Sequence, residues 1–409
     1  MNRRKAFLAL SLLLRMASGL ASLLLLARGL GPTDYGFVVT IFAYGAIAAL
    51  LTDFGAPIRL LRDVGAEPQR AGELVAMCLR IKTALLLVAS VILAIALLWL
   101  RPGLPALEAG VLLYASILVL SYGDVALVGL RAQGHAGLEA GVVLAGTLAF
   151  VAALALTAFS GDMLLVAAAI LAARLIQAVL AFLMLRLLVR LGPCLKWSTR
   201  NELRAGSGLA LDTVLTALSG QIDLVLVSSV LGFEASGLYQ VAARTAAYAL
   251  LPSQVLANAY TPMLSRLHRE AGNAASLERQ MRFEFVLYGA GLGALVAMVM
   301  PLLAPWLFGP AFDAPAALWI GFGAWVFARF AIGALGIALV ARRAVRARLV
   351  GQGLGLVVIL GGFVFVAPVW GILAAPWVMV AATLATATIY AIALSGDQAT
   401  TSSRWRMTA

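Results

Sequence analysis

Histidine and cysteine are nearly absent: the 409-residue sequence has two of each, His135, His268, Cys78 and Cys194. A histidine- or cysteine-based metal site is excluded, because so few imidazoles and thiols occur and the cysteines lack a ligand spacing. Both cysteines stand beside basic residues (Arg80, Lys82 and Lys196), in segments assigned below to the cytoplasmic side, where thiols stay reduced. A Walker A loop, a His-Glu-x-x-His motif and a nucleophile elbow are also missing, so ATP does not drive the protein directly. Charge is scarce too, at 12% of residues against about 25% in soluble domains. A soluble enzyme of this length could not cover its surface with so few charges.

Apolar sequence takes the place of charge, with 63% hydrophobic residues and a mean hydropathy of +1.00. A bilayer-spanning helix uses about 20 residues, so the chain has material for roughly a dozen. Apolar windows between charge or Gly/Pro breaks fall at 6–27, 36–56, 78–100, 106–128, 139–159, 163–185, 206–230, 237–258, 284–304, 315–340, 348–367 and 371–394. The expected fold is therefore all-α, a polytopic membrane protein with twelve transmembrane helices, numbered here as spans 1 to 12. The start, Met1-Asn2-Arg3-Arg4-Lys5, resembles a signal peptide, but the run from Ala6 to Ala27 is too long for one and lacks a small-residue cleavage site. It reads as the first permanent span.

The net charge of +12 orients these helices, because Lys and Arg collect on the cytoplasmic side. Of 30 basic residues, 24 fall on the side shared with the N-terminus, Arg28 and Arg101 fall opposite, and Arg15, Arg174, Arg244 and Arg329 lie within spans. Twelve spans with both termini cytoplasmic follow, and the basic excess requires no nucleic acid. The outer segments reach only about ten residues, as from Pro305 to Pro315. A membrane glycosyltransferase or polymerase usually carries a sizeable extramembrane loop; none exists here, and the chain reads as no enzyme.

An internal repeat runs at an offset of 201: Ser18-Gly19 with Ser219-Gly220, Leu23 with Leu224, Leu25 with Leu226, Leu30-Gly31 with Leu231-Gly232, and Gly36 with Gly237. Six spans per half is an even number, so both halves share one orientation, as in the parallel repeats of some transporters. The expected organisation is an N-terminal lobe (1–190, spans 1–6), a cytoplasmic linker (191–205) and a C-terminal lobe (206–409, spans 7–12, with a short cytoplasmic tail). The two pseudo-symmetric six-helix lobes are expected to flank a central cavity.

Span 7 carries Asp212, Thr216, Ser219 and Asp223 on one helical face, and their counterparts on span 1 are Ser11, Arg15, Ser18 and Ser22. Polar stripes facing lipid would be costly, so both face the bundle interior or water. They read as the lining of a hydrophilic cavity, against the simpler role of polar seams between helices. Arg244 shares a face with Gln240 and Tyr248, Arg174 precedes Gln177 by one turn, and Arg329 follows Trp325 by one turn, a spacing for a cation–π contact. Set against Asp212 and Asp223, the four arginines leave an excess of two positive charges. Arginine cannot lose its charge and its planar fork grips phosphate bidentately, so this balance points to a phosphate- or pyrophosphate-bearing substrate. The competing reading pairs Arg15 or Arg244 with Asp212 or Asp223. The aspartates are also candidates for Na⁺ or proton coupling. Glycines at Gly351 to Gly355 and Gly361-Gly362 read as close helix packing, and Arg342 to Arg348 as a topology anchor that can also touch anionic lipid.

The stretch Ala27-Arg28-Gly29-Leu30-Gly31-Pro32-Thr33-Asp34-Tyr35-Gly36-Phe37, followed by an apolar span and Thr52-Asp53-Phe54-Gly55-Ala56-Pro57, resembles the N-terminal signature of polysaccharide flippases of the multidrug/oligosaccharidyl-lipid/polysaccharide exporter superfamily. The segment Leu231-Gly232-Phe233-Glu234-Ala235-Ser236-Gly237-Leu238-Tyr239 is similar to the start of their C-terminal lobe. The resemblance implies an alternating-access flippase in the bacterial inner membrane that moves an undecaprenyl-diphosphate-linked oligosaccharide, such as an O-antigen repeat unit, and works beside glycan-assembly proteins. It also implies cavity-lining roles for spans 1, 2, 7 and 8. The candidate substrate-binding residues are thus Arg15, Ser18, Ser22, Arg174, Thr216, Ser219, Arg244 and Arg329, with Asp212 and Asp223 for ion coupling and no metal or other cofactor. Lipid II flippases carry more arginines in spans 1 and 2 than the Arg15 and Arg28 found here. The alternative function is a cation-coupled drug exporter of the same superfamily, which would prefer a negative cavity.

Overall fold

The computed structural model describes residues 2–55, 67–100, 103–188, 220–269, 275–342 and 344–406, with 57, 60, 61, 63, 64 and 218 between them. All regular structure among them is helical. Ten stretches are long and apolar enough to cross a membrane. Two of these, Leu10–Asp53 with 44 residues and Gly220–Leu267 with 48, are twice the usual length and each holds two spans. The twelve expected spans are therefore all represented, the seventh only by its described part, 220–231.

Gly31 divides the first double stretch. It interrupts the helix Asn2–Asp53 at φ 73°, ψ 175°, just before Pro32. In the second, Gly232 takes φ 88°, ψ −179° at the start of the helix Phe233–Ala249. Both conformations are essentially reserved for glycine. The 201-residue offset thus recurs as one backbone geometry, a tight reversal between consecutive spans.

The chain forms two compact units, Met1–Ser229 and Val230–Ala409. The linker expected at 191–205 lies outside the described residues. In the first unit, span 4 (Leu104–Ala132) packs along span 6 (Met163–Leu188), and span 5 (Ala136–Thr157) along spans 6 and 1. Span 2 crosses span 4 where Gly45 meets Ile117. In the second unit, span 10 (Ala316–Ala341) packs on the last span, Ala374–Arg406, which also packs on span 11 (Val345–Phe365). Span 8, made of Phe233–Ala249 and Leu251–Arg269, also meets span 10. Pairs 2–4, 4–6 and 5–6 thus recur as 8–10, 10–12 and 11–12, so the repeat extends to packing.

Small residues set the closest crossings. A Cβ on Gly293 of span 9 (Ala275–Phe308) would lie 2.6 Å from the Gly323 carbonyl oxygen of span 10. Three glycines of span 11 pack as the sequence implied, Gly351 against Tyr390 and Gly355 and Gly362 against Thr386 and Val378, whereas a Cβ on Gly353 or Gly361 would meet nothing within 4 Å. Thr386 Oγ1 also donates to the Gly351 carbonyl at 3.1 Å. Many large apolar side chains are exposed, among them Leu98, Leu156 and Leu302, as a lipid-facing surface requires. Exposed Trp99, Phe159, Trp306 and Trp370 stand at the ends of spans 3, 5, 9 and 11. These are the ends away from the basic loops, at the level where aromatic rings favour a membrane interface.

The basic ends carry one ionic clasp in each unit. Arg131, closing span 4, grips Glu139 of span 5 through both carboxylate oxygens, and Glu139 has no exposed surface. Arg342, closing span 10, donates to Glu278 of span 9 at 3.1 Å and to the Leu394 carbonyl of span 12 at 3.3 Å.

Candidate functional site

Arg15 sits on the inward face of span 1, where Ser11 and Ser18 are buried and Ser22 is half-buried. Its guanidinium Nη2 donates to Asp124 Oδ1 of span 4 at 2.7 Å. Arg174 of span 6 lies with its guanidinium carbon 3.9 Å from the centre of the Phe150 ring of span 5. Its Nε is buried without a hydrogen-bond partner among the described residues. Asp124 and Arg15 both stand within electrostatic reach of Arg174, so spans 1, 4 and 6 bring three charged groups together.

A second group adjoins the first. Lys82 of span 3 (helices Ala71–Ala84 and Leu86–Leu100) donates to Asp53, the last residue of span 2, and to Ser121 of span 4. The Tyr122 ring lies 5.3 Å from the ammonium, and the Tyr122 hydroxyl hydrogen-bonds Thr83 at 3.1 Å. Asp53 and Asp124 are near enough to repel. The tract holds three cations (Arg15, Lys82, Arg174) and two anions (Asp53, Asp124). Two pairs form, and among the described residues Arg174 is the cation of this tract left without a direct carboxylate partner.

This arrangement corrects the charge balance read from sequence. That balance omits Asp53 and Asp124, which lie inside membrane helices, and it counts Lys82 with the cytoplasmic loops, whereas the side chain is buried. Among the described residues Arg15 pairs with Asp124; Asp212, the other partner the sequence offered, lies outside them. In an apolar window a lone Asp124 is itself the signal of an interior site, and the sequence carries that signal.

The remaining candidates separate. Asp212, Thr216 and Ser219 fall outside the described residues; Asp223 is half-buried within 220–231. In the second unit Arg244 is exposed and lies within electrostatic reach of Tyr248 one turn on. Arg329 is also exposed and, like Arg348, lies within electrostatic reach of Tyr390. The Trp325 ring meets Phe322 edge-on at 6.1 Å. Arg15 and Arg174 therefore share one site in the first unit, and Arg244 and Arg329 belong to the second.

A family model for polysaccharide biosynthesis proteins matches residues 4–268, spans 1 to 8. No curated protein sequence matches the chain. Among solved structures, lipid II flippase MurJ in an inward closed conformation superposes with a TM-score of 0.67 at 13% identity, covering 95% of this chain and 87% of that one. An inward-facing multidrug resistance MATE family transporter of the MOP superfamily gives 0.65 at 15% identity, covering 96% of each chain. A MOP superfamily transporter from Pyrococcus furiosus gives 0.52 at 17% identity, covering 95% and 93%. At these identities the likeness establishes the fold, the twelve-span, two-lobe architecture of MOP superfamily transporters.

Proposed function

The chain belongs to the polysaccharide biosynthesis protein family, and from that premise we propose that it flips an undecaprenyl-diphosphate-linked oligosaccharide across the bacterial inner membrane by alternating access. The observation that carries this reading is Arg174, held in the membrane interior of the first unit beside the Arg15–Asp124 pair, with a buried Nε that no described residue satisfies. A cation costs much free energy at such depth unless an anion joins it. The diphosphate linkage is an anion whose oxygens match two neighbouring guanidinium forks.

Fold likeness extends equally to a lipid II flippase and a multidrug transporter, so charge must discriminate. For the Pyrococcus furiosus transporter, reverse polarity of the binding pocket suggests a different function. In this chain the tract retains one cation beyond its ion pairs, which favours an anionic glycolipid over the cationic drugs of a coupled exporter. The distribution of basic residues supports cytoplasmic termini. Asp212 and Asp223 stay the candidates for Na⁺ or proton coupling, and the glycan-assembly proteins that build and consume the lipid-linked unit are the expected partners.

Deleting the gene and analysing undecaprenyl-linked glycans tests the function. Accumulation of the cytoplasm-facing intermediate, reversed by the wild-type chain and not by Arg174→Ala at equal protein level, is the expected result. Unchanged intermediates and unchanged surface glycan would sink it.

A further inference from the structure

The two ion pairs of the first unit differ in their surroundings. Lys82 and Asp53 expose 1% and 15% of their side chains, and Lys82 is further held by Ser121 and the Tyr122 ring. Arg15 and Asp124 expose 35% and 36% and share a single hydrogen bond. A buried pair cannot be opened without stranding a charge, whereas a pair exposed by a third on a face that reads as lining a hydrophilic cavity can hand its charges to water or to an incoming ion when it opens. The first pair is a fixture; the second can exchange partners.

Two neighbours push it toward exchange. Asp53 repels Asp124, and Arg174 offers an incoming anion a docking point beside Arg15. The Phe150 ring holds Arg174 by a cation–π contact, and the buried Nε has no hydrogen-bond partner among the described residues.

Resting on the diphosphate reading above, we propose that Asp124 is a built-in competitor for the substrate's phosphate: it occupies Arg15 in the empty site, yields it to a diphosphate oxygen, and reclaims it at release. The anion docks first on Arg174, and its second phosphoryl group then takes Arg15 from Asp124. The displaced carboxylate faces the diphosphate at short range, so repulsion opposes over-tight binding. Neutral and cationic ligands cannot displace Asp124, which makes the residue a filter for anions as well as an aid to release.

The test uses the purified full-length protein in nanodiscs and farnesyl diphosphate as probe, with affinity read by calorimetry and export by complementation. Asp124→Asn is expected to bind the probe about ten-fold more tightly, a gain of about 1.4 kcal/mol, while complementing poorly because release is slowed. Arg15→Ala should bind about ten-fold more weakly, and adding Asp124→Asn to it should recover clearly less than the ten-fold gain of Asp124→Asn alone, since Arg15 is no longer there to compete for and only the repulsion by the free carboxylate is relieved. Equal or weaker binding by Asp124→Asn, with Arg15-dependent binding intact, overturns this proposal alone. Absence of probe binding in the wild type and every variant overturns the diphosphate reading with it. A measurement on the wild type removes dependence on variant folding: carbodiimide labelling of Asp124, followed by peptide mass spectrometry, should rise when the probe displaces it from Arg15. Constant or reduced labelling would overturn the exchange.

Discussion

Removing Lys82 tests whether the inner ion pair holds the first unit together. The ammonium is almost wholly buried and serves Asp53 and Ser121 at once. Lys82→Met fills similar space but leaves the Asp53 carboxylate without its cation and Ser121 without its donor. Breaking a buried pair on one side costs about 3–5 kcal/mol. For a block the size of the first unit, about 2–4 °C is lost per kcal/mol, so the melting temperature of the detergent-solubilised protein should fall by roughly 10 °C. Lys82→Met with Asp53→Leu removes both charges and should recover most of that loss, because well-packed apolar replacements of buried pairs are often neutral or better. Asp124→Asn is the comparison: its pair is exposed by a third, so its loss should lower the melting temperature less than Lys82→Met does. A single variant that melts like wild type, or a double variant no better than the single, would refute the assignment of Lys82 as a structural fixture.

Gly31→Ala and Gly232→Ala should each cost about 1–3 kcal/mol, because both glycines hold a backbone conformation barred to alanine; equal drops in melting temperature are expected, and a neutral result at either site would show that its reversal relaxes. Glu139→Gln, at a carboxylate with no exposed surface, should lower stability more than Glu278→Gln, whose carboxylate side chain is 10% exposed; thermal melts of the two variants check the order. Reporter fusions after Gly161 and Gly309 should read periplasmic, and fusions after Arg200 and Arg343 cytoplasmic; a cytoplasmic signal at Gly161 would undo the twelve-span orientation. Arg174→Lys should complement only partly, since a point charge cannot reproduce the planar fork of a guanidinium in cation–π contact with Phe150.

Much of the fold is legible in the sequence because its determinants are local. Apolar windows set the spans, and the repeated glycines 31 and 232 encode a turn that no other residue would make. The inward face of Ser11 and Ser18 also follows from helical spacing alone. The ion pairs are not legible, because each joins residues far apart in the chain: Arg15 to Asp124 across 109 positions and Lys82 to Asp53 across 29. Spacing within one helix cannot show which distant helix will stand beside it. Lys82 misleads for a second reason. It lies near the basic end of its span, where a lysine ordinarily snorkels to the interface, and only the packing of spans 2 and 4 around it shows that it turns inward.

The repeat duplicates backbone and leaves chemistry unmatched. At the 201 offset Gly31 meets Gly232, but Arg15 meets Thr216 and Ser22 meets Asp223. The first unit packs two carboxylates among three cations in its interior. The second places Arg329 near Tyr390 and Arg348, and its carboxylate Glu278 is committed to the clasp at the basic end. Two units of one architecture therefore differ in what they can exchange. In the first, an anion can displace Asp124 from Arg15, because that carboxylate is both present and partly exposed. In the second, an anion approaching Arg329 meets a neutral phenol and, among the described residues, no carboxylate to displace. Among the described residues, Arg15 can thus be contested by a carboxylate and Arg329 cannot.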